Sequence, residues 1–592
     1  VKRWSPLLLL LALVLSSGGT RAGAQAAGEV EPEHPSSERV LTLRYWQAPS
    51  LLIPWLSNGE KDVEAASPGL EPLAGYRPDG SLVPRLAATI PSRANGGISA
   101  DGATITWTLK QGVRWSDGTA MTAEDVVFTW KYCLAHGSGC QRRQVFDDVV
   151  SVQALDPHRV QIRFMQSKPY PYAVFTGSRM PIVSKRQFGD CLGVVARSCA
   201  QERLPLGTGP YRITSFTATG NVAYVRNPFF HGEQPYFDRV DLKGGGTALD
   251  GARAVLEEET AEYSWNVQAE HQALQELEDQ GLGRLAVAFG GYVERIYMNQ
   301  TNPSPALGER RSSHDNGQNP HPFLTFPPIA QAMSMAIDRQ MIVEQLYGFK
   351  GRPECNIVAA PSDYISTTND ACLIQDIDGA NALLDSHGVV DDDQDGIRDY
   401  RGTPLRVTFQ TTANTVREAT QNLIRDWWQQ IGISTDLIQR DAEIFFGGDP
   451  VLQKGETYHR FFADAQMFTR AVEVDPENFL FDVTCNAIPD HENKWTGGNI
   501  SRACNSDYDA LFAQLRQTSP GPKRQQLVKQ LNDLILRNGY EIPLINRGIA
   551  SAVATNLRGF EANPWDSQLW NIAQWSRLES SDRNQGNPLG VE

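Results

Sequence analysis

The segment from Leu405 to Ile438 restricts the fold of this chain more than any other. Leu405, Val407 and Phe409 alternate with polar neighbours at the period of a strand. Val416, Ala419, Leu423, Trp427 and Ile431 then recur at helical spacing, Gly432 ends the run, and Ile433 to Ile438 reads as a second strand. Strand, helix and strand within about 35 residues is a βαβ crossover, which joins parallel strands. The chain therefore contains an α/β layer with a parallel sheet.

Two further stretches follow the same logic. Thr104 to Leu109 alternates as a half-buried strand. Thr122 is a good N-cap, Asp125 stands three residues later as in a capping box, and Val126, Val127, Trp130 and Leu134 follow at helical spacing. Asp117-Gly118 reads as the turn between them, and Glu124 as an acid in a first helical turn, where the helix dipole favours it. A helix also starts at Pro327-Pro328 and runs through Ile329, Met333, Ala336 and Ile337, since proline suits the first turn.

The N-terminus sets the compartment. Lys2 and Arg3, the apolar run Leu7 to Leu15, and small-residue sites around Ala22 to Ala26 have the form of a secretory signal peptide over 1–26. No cysteine follows the run, so a lipoprotein anchor is not expected, and the mature chain is expected to be exported to the periplasm. The eight cysteines, at 133, 140, 191, 199, 355, 372, 485 and 504, all lie beyond it. Eight cysteines allow 105 connectivities; neighbour pairing, Cys133 with Cys140, Cys191 with Cys199, Cys355 with Cys372 and Cys485 with Cys504, is the expected one. A zinc cluster would need C-x2-4-C pairs, and the sequence has none.

Removing 1–26 takes away Lys2, Arg3 and Arg21 and no acid, so the formal charge of −15 becomes −18. That balance argues against nucleic acid or an anionic membrane as partner. The roughly 565 residues that remain exceed what one hydrophobic core supports, so two or three domains are expected.

These residues carry a resemblance. The run from Asp101 to Trp130, DGATITWTLKQGVRWSDGTAMTAEDVVFTW, is similar to the signature region of the solute-binding proteins that serve oligopeptide, dipeptide and nickel ABC importers. The likeness continues through Leu206 to Tyr211, Arg226 to Phe230, Glu294 to Asn299, Ala336 to Arg339, Ala380 to Leu384 and Trp495 to Asp509, in the family's order.

The resemblance implies an α/β, two-lobe periplasmic-binding-protein fold with a hinge and an extra inserted domain. By analogy the first lobe takes 27–70, 205–300 and 546–592, the inserted domain 71–204, and the second lobe 301–545. It implies a monomer that closes on a ligand, most readily a peptide, and presents it to an ABC permease of the inner membrane. Family members hold a peptide's amino terminus with an aspartate shortly before an Asp-Pro or Glu-Pro step. Here Met467 to Pro476 places Val472 or Glu473 at that position, so the usual aspartate is missing. Glu473 is the candidate for an ammonium group and Arg470 for a carboxylate. From the first lobe, Tyr263, Trp265 and Asn266 are expected at the cleft, joined by Tyr292 and Glu294 on one strand face with Arg295 on the other. Trp46, just after the strand Val40 to Tyr45, is a further candidate.

Asp391, Asp393 and Asp395 alternate and are followed by Gly396, as in the first half of a calcium loop, but position twelve is Gly402 in place of the bidentate Glu. They are the candidate ligands of a structural calcium ion; no other cofactor is expected. No H-E-x-x-H, G-x-S-x-G, G-x-x-x-x-G-K-[ST] or G-x-G-x-x-G occurs. The expected function is binding without catalysis, with a non-transport binder of the same fold or an exported hydrolase as the alternatives.

Overall fold

In the computed structural model, residues 38–446 and 457–578 are described. The expected signal peptide, 1–26, lies outside them, as does the end of the last expected segment. From Arg39 onward they form one compact unit.

Two sheets dominate. The first has seven strands, in the edge-to-edge order Gly283–Ala288, Ile549–Ala554, Tyr263–Trp265, Val40–Tyr45, Arg239–Gly244, Val222–Arg226 and Tyr211–Phe216. Val40–Tyr45 is parallel to both of its neighbours. The second has six, in the order Gly351–Pro353, Glu541–Arg547, Gly291–Met298, Ala465–Val472, Arg406–Thr412 and Ser434–Arg440. A three-stranded antiparallel sheet, Thr104–Thr108, Arg159–Phe164 and Val149–Asp156, centres the expected inserted domain.

The βαβ crossover is present. Arg406–Thr412 and Ser434–Arg440 pair in parallel, joined by the helix Thr415–Gln430. The buried face of that helix differs from the expected one: Val416, Thr420, Gln421, Ile424, Trp427 and Trp428 go inward, while Ala419 and Leu423 are only half-buried. Polar residues are tolerated inside because they are bonded. Gln421 Nε2 donates to the Phe409 carbonyl at 2.8 Å and Thr420 Oγ1 to that of Val416 at 2.7 Å.

The helices expected after Thr122 and at Pro327 span Ala123–Leu134 and Pro327–Met335. All four neighbour disulfides form, closing separations of 7, 8, 17 and 19 residues. Leu51 to Leu70 already pack into the core that extends to Ala200, so this core begins before residue 71.

The strand Gly291–Met298, which the resemblance put in the first lobe, hydrogen-bonds into the six-stranded sheet. Its Val293, Ile296 and Met298 are fully buried apolar residues, which suits a central strand. The chain thus passes from the seven-stranded sheet to the six-stranded one at Phe289-Gly290 and returns at Gly548. These crossovers lie side by side: a Cβ on Gly548 would stand 2.2 Å from Val287 Cγ1 and 3.4 Å from Phe289 Cε1. Only glycine allows that approach.

Candidate ligand-binding cleft

Strand register places the second-sheet residues. Tyr292 faces Ala471 and Glu294 faces Thr469 across the antiparallel pair, so these four share one side of the sheet. Glu473, two residues beyond Ala471, continues it. Arg295 and Arg470 occupy the other side.

On the Tyr292 side of the six-stranded sheet lies a cleft with about 550 Å³ of empty space, part of it open to solvent. Tyr292, Ala471 and Glu473 line it from the six-stranded sheet; Glu60, Tyr76, Arg179 and Trp565 line the facing wall. A second cavity, about 280 Å³, shares Tyr76 and Glu473 with the first. A third, about 400 Å³, shares Lys168, Tyr170 and Glu477 with the second and reaches the exposed Asp147. The three form a series running from the Tyr292 side of the six-stranded sheet to the boundary between the inserted domain and the helices around Phe481 and Phe512.

Charge is paired around this space, across it at Glu473 and within the facing wall at Glu60. Arg142 Nη1 lies 3.2 Å from Glu473 Oε1, and Asn478 Nδ2 donates to the same carboxylate at 3.3 Å. Arg179 meets Glu60 at 2.5 Å and donates to the Tyr292 hydroxyl at 3.3 Å. Burial works against the Arg179 cation, but Glu60, Tyr292 and Glu473 leave it more basic than usual. Burial also lowers the basicity of Arg142. Thr176, 1% exposed on the same wall, has a hydroxyl without a hydrogen-bond partner among the described residues. A buried hydroxyl in that condition is a free donor and acceptor for a ligand.

Glu60 and Glu64 lie one turn apart on the helix Glu60–Ala66 and meet different fates. Glu64 is 4% exposed and accepts from the Gln568 amide at 3.0 Å, the Ser567 hydroxyl at 2.8 Å and the Tyr45 hydroxyl at 3.3 Å. Burial pushes its carboxyl up to about 8 against these bonds.

Glu294 is fully engaged. It forms a two-bond pair with Arg417 at 3.0 and 3.2 Å and accepts from the Thr469 hydroxyl. Burial pushes its pKa up, yet Arg417 and Arg547 hold it below the usual carboxylate range. Arg547 in turn donates to Asn266 Oδ1 at 2.8 Å, tying the two sheets together at the return crossover.

The other expected residues lie elsewhere. Tyr263 and Trp265 belong to the core of the seven-stranded layer: Tyr263 contacts Phe560 and Trp575, and Trp265 stacks on Tyr45 at 5.2 Å. Neither lines a cavity of the series. They are central-strand residues, whose two faces are both covered. Asn266 is buried at φ 51°, held by Arg547, and its carbonyl accepts from the half-buried Trp46 Nε1 at 2.9 Å. Arg470 is held by Asp482 and the Gly498 carbonyl, away from the cavity side.

Asp391, Asp393 and Asp395 are all exposed, with carboxylate oxygens within 4.8 Å of one another, and are the residues that could hold an ion. They also close a turn by themselves. Asp391 accepts from the Gly396 amide at 2.9 Å, and Asp395 pairs with Arg406 at 3.0 Å.

Arg142, Arg179, Glu60, Tyr76 and Arg547 were not marked by sequence reasoning. The only available signal was Arg547, a charge that follows the apolar stretch Ile542 to Ile545 and stands just before a glycine.

The sequence model of the bacterial extracellular solute-binding proteins, family 5 (middle), matches residues 81–475. Protein XP55 of Streptomyces lividans is 27% identical over 300 residues, which is 48% of this chain and 49% of that protein. Di/tripeptide-binding protein 2 of Pseudomonas aeruginosa is 23% identical over 553 residues, covering 85% of this chain and 92% of its own length. The solved structure of the oligopeptide-binding protein AppA of Bacillus subtilis with a nonapeptide superposes with a TM-score of 0.74 at 19% identity, over 92% of this chain and 100% of the other. That of NikZ of Campylobacter jejuni with Ni(L-His) has a TM-score of 0.74 at 19% identity, over 91% and 99%.

Proposed function

The chain belongs to the bacterial extracellular solute-binding proteins of family 5, and from that premise we propose that it captures a peptide between its two lobes and delivers it to an ABC permease. The seven-stranded sheet and the six-stranded sheet are the lobes, and Phe289-Gly290 with Gly548 form the hinge between them. Two short, adjacent crossovers concentrate the backbone change of closure in a few residues. No helix among the described residues is long and apolar enough to cross a membrane, and the reading places one copy of the chain in the periplasm.

The observation that carries this reading is the cavity series lined from both lobes, with Tyr292 and Glu473 on one wall and Arg179 and Thr176 on the other. Its polar groups come in pairs of opposite charge, which fits a ligand with both an ammonium and a carboxylate end. Glu473 takes the ammonium once Arg142 gives way, and Arg142 or Arg179 takes the carboxylate. Di/tripeptide-binding protein 2, which shares most of its length with this chain, supports the peptide class. The acidic turn at Asp391 has no part in capture; an ion there would be structural.

A carrier that must release its cargo is served by micromolar affinity, about −8 kcal/mol. Native mass spectrometry of protein purified without refolding tests the ligand class. A family of co-purifying peptide masses is expected; a single non-peptide mass overturns the peptide reading.

A further inference from the structure

The outer end of the cavity series is crossed by an ion-pair cluster. Lys168 of the inserted domain bonds Glu477 of the second lobe, and lies 3.0 Å from Asp148 on its own side. Arg516 of the second lobe pairs back to Asp148, and Arg524 secures Glu477 at 2.9 Å and Asp475 at 2.7 Å. Lys168 and Glu477 line both the second and the third cavities, so their bond stands where one opens into the other. The Lys168 side chain is 14% exposed and that of Glu477 7%. Pairs so shielded from solvent are screened less than surface pairs.

We infer that the Lys168–Glu477 bridge is the specificity element that sets ligand length, a bar across the channel behind which a short ligand is enclosed and which a longer one must displace. The inference rests on the peptide reading of the same cleft. A ligand confined to the cavities beside Tyr292 and Glu473 leaves the bridge closed and gains its closing energy. A longer chain passes Tyr76 and Tyr170 and meets the bridge; it emerges toward Asp147 only by parting Lys168 from Glu477. The cluster is built so that this parting orphans no charge: Asp148 keeps Arg516 and Glu477 keeps Arg524. Opening it therefore costs less than breaking an isolated buried pair.

Lys168→Met is the variant that removes the bar and leaves both carboxylates paired. Affinities of the full chain for a peptide series from dipeptide to decapeptide are measured by calorimetry, with melting recorded alongside. The wild type is expected to favour short members, and the variant to raise the long-over-short affinity ratio about fivefold. Lys168→Ala, which shortens the side chain as well as removing its charge, should shift the ratio in the same direction, and the recorded melting shows that each variant folds. An unchanged length profile in both variants, with peptides bound, overturns the bar alone. Failure of the wild type to bind any peptide overturns the peptide reading and the bar with it.

Discussion

Tyr263 and Tyr292 each stand on a buried strand of one of the two sheets, and their surroundings differ in kind. Tyr263 is 0% exposed, its ring among Phe560 and Trp575 and its hydroxyl on Ser551 at 2.9 Å. Tyr292 is half-buried, with the guanidinium of Arg179 at its hydroxyl and Glu473 beside it. The first is surrounded by groups of its own lobe, and the second by one charge of its own wall, Glu473, and one from the facing wall, Arg179. An aromatic residue marks a binding surface here when its neighbours are ionic groups paired across a gap, and marks core when they are other rings.

The comparison breaks most readily at its largest expected effect. Tyr263→Ala should cost about 3 to 5 kcal/mol of stability, the range for emptying a large aromatic site, with ligand affinity retained by the protein that folds. Tyr292→Ala should do the reverse, lowering affinity about tenfold while melting changes little. Equal losses of stability, with affinity untouched in both, would remove the distinction. Denaturant titration and calorimetry on the two variants decide it.

A smaller effect separates the two acids of the helix Glu60–Ala66. Glu60 faces the cavity and its arginine, whereas Glu64 is enclosed. With its pKa raised from 4.5 to about 8, folded Glu64 keeps a proton that the unfolded chain has lost across that interval. Its stabilising contribution is full below 4.5 and is lost as pH rises through about 8. The melting temperature of the wild type should therefore fall relative to Glu64→Gln as pH is raised through this window. Parallel curves for the two proteins would mean that folded Glu64 does not hold its proton across this window.

The same contrast explains what could be read before the structure. The crossover, the capped helix and the paired cysteines were legible because each is a local pattern: period, cap and spacing. Tyr292 and Glu473 entered as candidates through the order of landmarks in the chain, and the proposed cleft includes both. Arg142, Arg179 and Glu60 were not, since their partners lie 331, 113 and 119 positions away, and no local period encodes such a meeting. Tyr263 and Trp265 were misplaced for a related reason. A short aromatic strand reads alike at a sheet's centre and at a cleft, and only the neighbours Phe560 and Trp575, from the far end of the chain, distinguish them.

Asp125 offers the finest division, because it is a carboxylate more deeply buried than Glu60 or Glu473 and is bonded only within the inserted domain, to two backbone amides and to Trp115. One oxygen accepts from the Thr122 amide at 2.9 Å and the other from the Lys185 amide at 2.9 Å, both within the inserted domain. Burial raises its pKa while these two amides pull the other way. Removing the acceptor leaves two buried donors unsatisfied, so Asp125→Ala should cost about 1 to 2 kcal/mol, as for a lost helix cap. Asp125→Asn keeps an acceptor oxygen and should recover part of that loss. Neither change should alter ligand affinity, because no partner of Asp125 lies across the gap between the lobes. A variant that melts like the wild type but binds more weakly would show that its carboxylate acts on the ligand, and would move the stretch around Trp115 and Trp130 from scaffold to site.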